Sequence, residues 1–408
     1  MPIETTSQRP ESAPQRPEQQ RPEPTSQRPA RTSQFALPDA PRAILLVRLT
    51  ARGDVLLASP VVEALRRRYP KAHIAWAVES HARSMIEHHE GLDEIIVWDR
   101  TAWKSMIRAG RWGALWRAFR ELHGKLRAPG FDIALDLQGL LRSGWVAWLS
   151  GAPVRIGLGS KEGSRMLMTG TVPRHGTAPG STSLQYPYFA EALGLPSEAL
   201  APHLVLSDGQ EDFAARFIAE HGLEGGYAAL APFTTRPQKH WFEDRWGEVA
   251  GRIRADLGLP VVLLGGPADR EAAGRIAAAE KQIRRDALEE ERTGEENAGA
   301  GSPPPLIDLT GRTRLGEAAA VVKHAGLFLG VDTCLSHVSV AFHRPSVLLF
   351  GSNIPYREAP HARARIALEL QPCAPCGNRP TCGGAFWCMR ALEVEEVFDL
   401  VKTVVQQG

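Results

Sequence analysis

Leu327-Phe328-Leu329-Gly330-Val331-Asp332-Thr333-Cys334-Leu335-Ser336-His337 reads as an apolar strand that ends in Asp-Thr and runs directly into a helix. Such a turn presents free backbone N–H groups at the strand's carboxyl end. Anions and phosphates bind there, because the first turn of a helix has unsatisfied donors and a positive dipole end. Asp332 and Thr333 also read simply as a cap, and His337 as a satisfied core histidine. A second segment of this kind, Leu49-Thr50-Ala51-Arg52-Gly53-Asp54, follows the apolar run Ile44-Leu45-Leu46-Val47. Two phosphate-compatible turns about 280 residues apart predict two similar domains facing one another across a ligand.

The rest of the pattern supports that division. Apolar strands alternate with helices from Arg42, and the alternation restarts near Tyr227, which argues for βα units and parallel sheets. In the first half strands are expected at Ile44 to Val47, His73 to Val78, Glu94 to Trp98 and Ile133 to Leu137, with one long basic helix over Trp103 to Leu126. The expected organisation is a tail over 1–40, one doubly wound domain over 41–215 and a second over 216–392, with a mobile insertion at 281–305. A final helix over 393–408 is expected to brace the first domain. The tail repeats Gln-Arg-Pro from Gln8, Gln15, Gln20 and Gln27 with few apolar residues between, so it cannot offset its chain entropy and should be disordered. In doubly wound sheets ligands bind beyond the carboxyl ends of the strands, which makes the interdomain cleft the expected site.

At 408 residues the chain has room for two domains. Its 48 basic and 46 acidic residues nearly balance, which argues against a nucleic-acid groove. No run of about 18 apolar residues is present to span a membrane, and no apolar signal-peptide core opens the chain, so a cytoplasmic protein is expected. Four of the five cysteines, Cys373, Cys376, Cys382 and Cys388, crowd into one segment. The C-x2-C start suits a metal, but the later x5 spacings fit no standard zinc pattern, so buried thiols and a metal site both stay open. Several of the ten tryptophans stand beside basic residues, where they read as core or groove-lining, or as contacts to a sugar or a lipid headgroup.

The candidate site residues follow from the strand ends. Asp54 is either a helix cap or a carboxylate at the cleft that takes a proton from an incoming hydroxyl, and Gly53 lets the backbone approach a substrate closely. Thr234-Thr235-Arg236-Pro237-Gln238-Lys239 offers two hydroxyls and two cations to a phosphate, or is an ordinary solvated loop. Gly265-Gly266-Pro267 leaves space for a nucleobase or ribose, or is a tight turn. There is no Walker A motif, no intact G-x-G-x-x-G and no Asp-x-Asp pair suited to a sugar-nucleotide magnesium site. Charge on a leaving group would then fall to Lys239, hydroxyls and helix dipoles.

Taken in order, Ile44 to Leu57, Asp136-Leu137-Gln138-Gly139-Leu140-Leu141-Arg142-Ser143, Thr234 to Trp241, and Gly330 to His337 resemble glycosyltransferase family 9, the ADP-heptose:lipopolysaccharide heptosyltransferases. The Gln-Gly-Leu-x-x-Ser form is similar to the heptosyltransferase I side of that family. The resemblance implies a GT-B fold, two Rossmann-like α/β domains around a central cleft, with the acceptor on the first domain and the nucleotide sugar on the second. It also implies inverting, metal-independent transfer of heptose from ADP-heptose to a lipid-A-linked Kdo acceptor of the inner core, with no cofactor. By resemblance Asp54 falls on the catalytic base, and Thr234, Thr235, Lys239, Gly265, Asp332, Thr333, Cys334, Leu335 and His337 fall on the donor side. Arg52, Gly53, Gln138 and Arg142 fall on the acceptor side. Cys334 stands where the family usually has glycine, and Ser181 to Tyr188 lacks the basic residues expected of an acceptor loop, with Tyr186 and Tyr188 there instead. Peripheral contact with the inner face of the inner membrane is expected through the basic helix carrying Lys104, Arg108, Arg111, Arg117, Arg120, Lys125 and Arg127. The competing readings are a transferase of another sugar or acceptor, a GT-B-like nucleotide-sugar epimerase, and a non-catalytic nucleotide-sugar-binding subunit.

Overall fold

The computed structural model describes residue 35 and residues 37–407, apart from 175–184, 199, 294–303, 356–362, 375 and 378. The Gln-Arg-Pro repeats of the tail, Ser181 and positions 294–303 of the insertion lie outside the described residues. Twelve described strands form two six-stranded sheets. The first holds β1 (Ala43–Val47), β2 (His73–Glu79), β3 (Glu94–Trp98), β4 (Ile133–Asp136), β5 (Val154–Leu158) and β6 (Gly170–Val172). The second holds β7 (Ala228–Ala231), β8 (Val261–Leu263), β9 (Leu306–Asp308), β10 (Leu327–Val331), β11 (Ser346–Phe350) and β12 (Ala364–Leu368). The orders β3-β2-β1-β4-β5-β6 and β9-β8-β7-β10-β11-β12 are the same when strands are counted within each sheet.

Every described pairing is parallel, and a parallel sheet needs both faces covered. That requirement explains why β1, β10 and β11 are apolar runs with all five residues buried. Leu46 lies level with Trp76 on one side and Leu135 on the other, and Leu329 lies level with Leu230 and Val347. The helices are α1 (Arg52–Ala58), α2 (Pro60–Arg68), α3 (Arg100–Arg108), α4 (Trp112–Arg127), α5 (Leu141–Leu149), α6 (Gln185–Ala192), α7 (Asp208–His221), α8 (Glu243–Asp256), α9 (Arg270–Thr293), α10 (Leu315–His324), α11 (Cys334–Ala341), α12 (Trp387–Arg390) and α13 (Val394–Gln406). Ile44 and Leu46 pack under α1 and α2, while Leu45 and Val47 pack under α4 and α5, so the first sheet is wound on both faces. The inner layers of the two domains merge into one apolar cluster that includes Val55 from α1 and Leu335 and Val338 from α11.

Four expectations change. The helix expected over Trp103 to Leu126 is two helices, because Gly110 adopts φ +64°, a left-handed conformation that stops α3 and turns the chain into α4. The domain boundary expected at 215 falls inside α7. Glu211 of that helix pairs with Lys323 (2.5 Å) and His324 (2.7 Å) of α10, which ties it to the second domain. The insertion expected from 281 begins as helix, since α9 continues through Thr293. The helix expected to brace the first domain belongs to the second: Val397, Phe398, Val401 and Val404 of α13 pack with Val347 and Leu349 of β11. Its apolar residues recur at helical spacing, which marks a buried face without saying which sheet it meets.

Phe398 is fully buried and stacks beneath the Arg252 guanidinium, 4.4 Å from the ring centre. Phe398→Ala should cost about 3–5 kcal/mol. Native-state hydrogen exchange should then show lost protection in β10 and β11 with β1 and β4 unchanged. Loss confined to β1 and β4 would restore the bracing of the first domain.

Candidate active site

Topological switch points, where strand order reverses, lie between β1 and β4 and between β7 and β10. The four loops leaving these strands carry Thr50 to Asp54, Leu137 to Arg142, Thr234 to Lys239, and Asp332 to Thr333. Nearly all the sequence-selected residues therefore collect at the two switch points.

On the first domain Arg48 follows the last residue of β1 and is buried. Its Nη2 meets Asp54 Oδ2 at 2.7 Å, and its Nη1 donates to the Leu137 carbonyl at 3.2 Å. Asp54 sits at the third position of α1, where Oδ2 also accepts the Ala51 N–H at 3.4 Å. Ala51, not Asp54, is the N-cap of α1; Asp54 closes the turn from the third position, with 37% of its side chain exposed. Burial would push the Asp54 carboxyl up, but the Arg48 guanidinium, the Ala51 N–H and nearby His337 outweigh it and hold it below its ordinary value of 3.8. Asp54 is a carboxylate at neutral pH.

Residues at the end of β4 and in α5 brace this turn. Gln138 Oε1 accepts the N–H groups of Leu49 (2.9 Å) and Thr50 (3.2 Å), and Arg142 Nη2 donates to Thr50 Oγ1 at 2.8 Å. Tyr186, fully buried, donates its hydroxyl to the Asp54 carbonyl at 3.4 Å, and burial pushes its pKa up to about 12. Arg174 Nη2 donates to the Gln138 carbonyl at 2.5 Å. Arg52 is exposed and turns to the His81 carbonyl, 3.0 Å from its Nε.

On the second domain Lys239 and Asp332 form one ion pair, Nζ to Oδ2 at 2.5 Å, with both side chains largely buried. Asn353 Nδ2 donates to the same Oδ2 at 3.2 Å, and His337 Nε2 lies 3.7 Å from Asp332 Oδ1. Thr234 Oγ1 donates to the Asp332 carbonyl at 3.4 Å. Thr333 is the N-cap of α11, and its side chain makes no capping bond. Thr235 is exposed. Gly265 stands one strand away, beyond β8, and the open space expected there is filled: an added Cβ would lie 2.5 Å from Phe233 Cδ2 and 2.9 Å from Thr310 Cγ2.

The two sides meet at α1 and α11. A Cβ on Gly53 would lie 2.6 Å from His337 Cδ2, so only glycine permits this approach. Cys334 donates its thiol to Met85 Sδ at 3.5 Å, and burial pushes that thiol up to about 12. Burial also lowers the pKa of His337, against the pull of Asp332 and Asp54, so its imidazole is neutral near pH 7. The cysteine loop packs beside the Lys239 turn, with Gln238 Nε2 donating to the Gly377 carbonyl at 3.0 Å. Its four cysteines are free thiols, and among the described residues no three His, Cys, Asp or Glu side chains converge as a metal site.

The sequence reading missed Arg48, Asn353 and Arg174. Arg48 carried a signal, since an arginine continuing a buried apolar strand demands a partner. Asn353 and Arg174 carried none at the level of residue type.

Comparison with known proteins accords with this geometry. Residues 119–383 match the family described as glycosyltransferase family 9 (heptosyltransferase). Lipopolysaccharide heptosyltransferase 1 of Pseudomonas aeruginosa is 28% identical over 343 residues, covering 82% of this chain and 85% of that protein. A glycosyl transferase family 9 structure from Veillonella parvula superimposes with a TM-score of 0.73 at 22% identity, over 90% of this chain and 98% of that one. Escherichia coli ADP-heptose lipopolysaccharide heptosyltransferase II gives 0.66 at 21% identity, over 90% and 99% of the respective chains. These likenesses establish the two-domain GT-B fold, and the match over 119–383 gives the class of enzyme: the chain is a glycosyltransferase and belongs to family 9.

Proposed function

We propose that this enzyme transfers heptose from ADP-heptose to the Kdo of a lipid-A-linked lipopolysaccharide inner core, with inversion and without a metal ion. The observation that carries the reading is a partly exposed, ionised Asp54 held by Arg48 at the contact between α1 and the donor-side helix α11. The names of the similar proteins support both the donor and the core acceptor. The acceptor hydroxyl attacks the anomeric carbon from the face opposite ADP and passes its proton to Asp54. The bond between that carbon and the diphosphate oxygen breaks, and its electron pair leaves with ADP. The developing charge is met by Lys239, the Thr234, Thr235 and Thr333 hydroxyls, and the N–H groups of Cys334 and Leu335 in the first turn of α11. The space expected beside Gly265 is filled by Phe233 and Thr310, so the glycine offers the nucleoside only its backbone, and Asp332 positions Lys239. On the acceptor side Gln138 and Arg142 hold the Thr50 turn, and Arg52 and Gly53 line the approach.

A second reading keeps the chemistry and changes the acceptor or the sugar. It is favoured by Tyr186, a buried tyrosine bonded to the Asp54 carbonyl, in a segment where the family resemblance calls for basic residues.

ADP release with ADP-heptose in EDTA separates these. Release that depends on Kdo2-lipid A and survives the chelator is the expected outcome. Donor binding without turnover would move the reading to another acceptor. Asp54→Asn should reduce turnover by about 10²–10⁴-fold and leave ADP-heptose affinity unchanged. Turnover retained with donor binding lost would remove Asp54 as the base. Lys239→Met should weaken ADP-heptose binding by about tenfold, read by equilibrium titration.

The pH dependence has a definite sign. A carboxyl whose pKa is lowered in the folded protein stays ionised until the pH falls through that lowered value, so wild-type kcat/KM should hold its acid limb below the ordinary 3.8 as far as Asp54 governs it. Arg48→Met removes the guanidinium and leaves the desolvation, so the acid limb should move to higher pH. An unmoved limb would show that Asp54 is not the titrating base.

A further inference from the structure

Six of the nine large apolar side chains exposed among the described residues gather on the first domain: Ile107, Trp112, Trp116, Leu141, Trp148 and Met166. Trp112, Leu115, Trp116 and Phe119 recur at helical spacing along one side of α4, and Leu141, Trp145 and Trp148 do so along α5. The rings join the two helices, since Phe119 lies 6.2 Å from Trp145 and stacks on Trp116 at 5.4 Å. Trp112 is 64% exposed and Trp116 60%. None of the residues of α3 is buried.

The charge on the same hairpin is one-sided. Residues 100–127 hold eight arginines and lysines against one acid, Glu121, which pairs with Lys125 at 2.7 Å. Lys104, Arg108, Arg111, Arg117 and Arg120 are exposed around the tryptophans. A tryptophan ring suits the water–hydrocarbon boundary, with its body apolar and its N–H wet, and clustered cations suit a negative headgroup layer. A soluble protein partner with an apolar patch would need no such excess of cations. Among the described residues no helix is long and apolar enough to cross a membrane.

We infer that the α3–α4 hairpin and the outward face of α5 dock the enzyme on an anionic phospholipid bilayer. The inference rests on the reading that the acceptor is lipid-linked, and adds the surface that brings the enzyme to it. Trp112, Trp116 and Ile107 enter the headgroup boundary, Lys104, Arg108 and Arg111 lie over phosphates, and α5 joins this face to Arg142 at the acceptor side of the cleft.

The test uses the full chain with vesicles of phosphatidylcholine alone or mixed with phosphatidylglycerol. Sedimentation should show binding to the anionic vesicles that weakens as salt is raised. Trp112→Ser/Trp116→Ser and Arg108→Gln/Arg111→Gln should each weaken it by about tenfold or more. Both double variants should keep wild-type transfer to a water-soluble, deacylated Kdo acceptor and lose transfer to Kdo2-lipid A in vesicles. Variants that bind vesicles as wild type does would overturn the proposal. So would a wild-type dimer that Trp112→Ser/Trp116→Ser dissociates, with no vesicle binding by either form. If vesicle binding behaves as expected and no transfer occurs to either acceptor, the docking surface stands and the functional reading fails.

Discussion

Arg48 is held where a charged side chain costs most, at the end of a strand whose five residues are all buried and between two parallel neighbours. Such an arginine needs partners for its donors, and here Asp54 takes Nη2 and the Leu137 carbonyl takes Nη1, while Nε is buried without a hydrogen-bond partner. The pair therefore fixes three things together. It sets the path of the chain from β1 into α1, it ties that path to the end of β4, and it keeps a carboxylate ionised at the edge of the cleft. Gln138 and Arg142 reinforce the same turn from β4 and α5. With Asp54 as the proposed base, catalytic geometry and fold stability draw on one interaction, which is why removing Arg48 is expected to act through Asp54.

The second domain solves a related problem with opposite exposure. Lys239 and Asp332 satisfy one another deep in the site, with Asn353 supplying a further donor. In the proposed donor site a diphosphate beside the first turn of α11 meets a lysine already paired with a carboxylate, which leaves much of the attraction to the N–H groups of that helix and the threonine hydroxyls. The arrangement leaves the site close to neutral before the donor binds. That is consistent with the balanced charge of the whole chain and with its one strongly basic surface lying elsewhere, on α3 and α4.

Much of the fold was legible because parallel strands buried on both faces must be continuous apolar runs, and β1, β7, β10 and β11 are such runs. The strands β5, β6 and β12 were not read, being short or partly exposed, so that their apolar pattern is broken. The site was legible at the level of loops, since Asp54, Lys239 and Asp332 end apolar runs. Their pairing was not, because a sequence places residues along the chain and ion pairs form across it. Lys239 was read as a point charge for a phosphate and Asp332 as a cap or a donor-side residue, and the two stand 2.5 Å apart. The single long helix expected over Trp103 to Leu126 failed at one residue, Gly110, whose left-handed backbone creates the hairpin on which the tryptophans are displayed.

That hairpin also bears on how the proposed lipid-linked acceptor reaches Asp54. Arg142 and Trp148 are six residues apart on α5, so a rise of about 9 Å separates the residue bracing the Asp54 turn from the exposed ring at the far end. A sugar attached to a lipid need then be drawn only a short way from the bilayer surface to bring its hydroxyl to Asp54. A docking face on α9 or α13 would hold the cleft away from the membrane, since those helices cover the outer face of the second sheet. Placing the cations and aromatic rings on the helices next to the acceptor loops keeps the donor domain clear of the lipid.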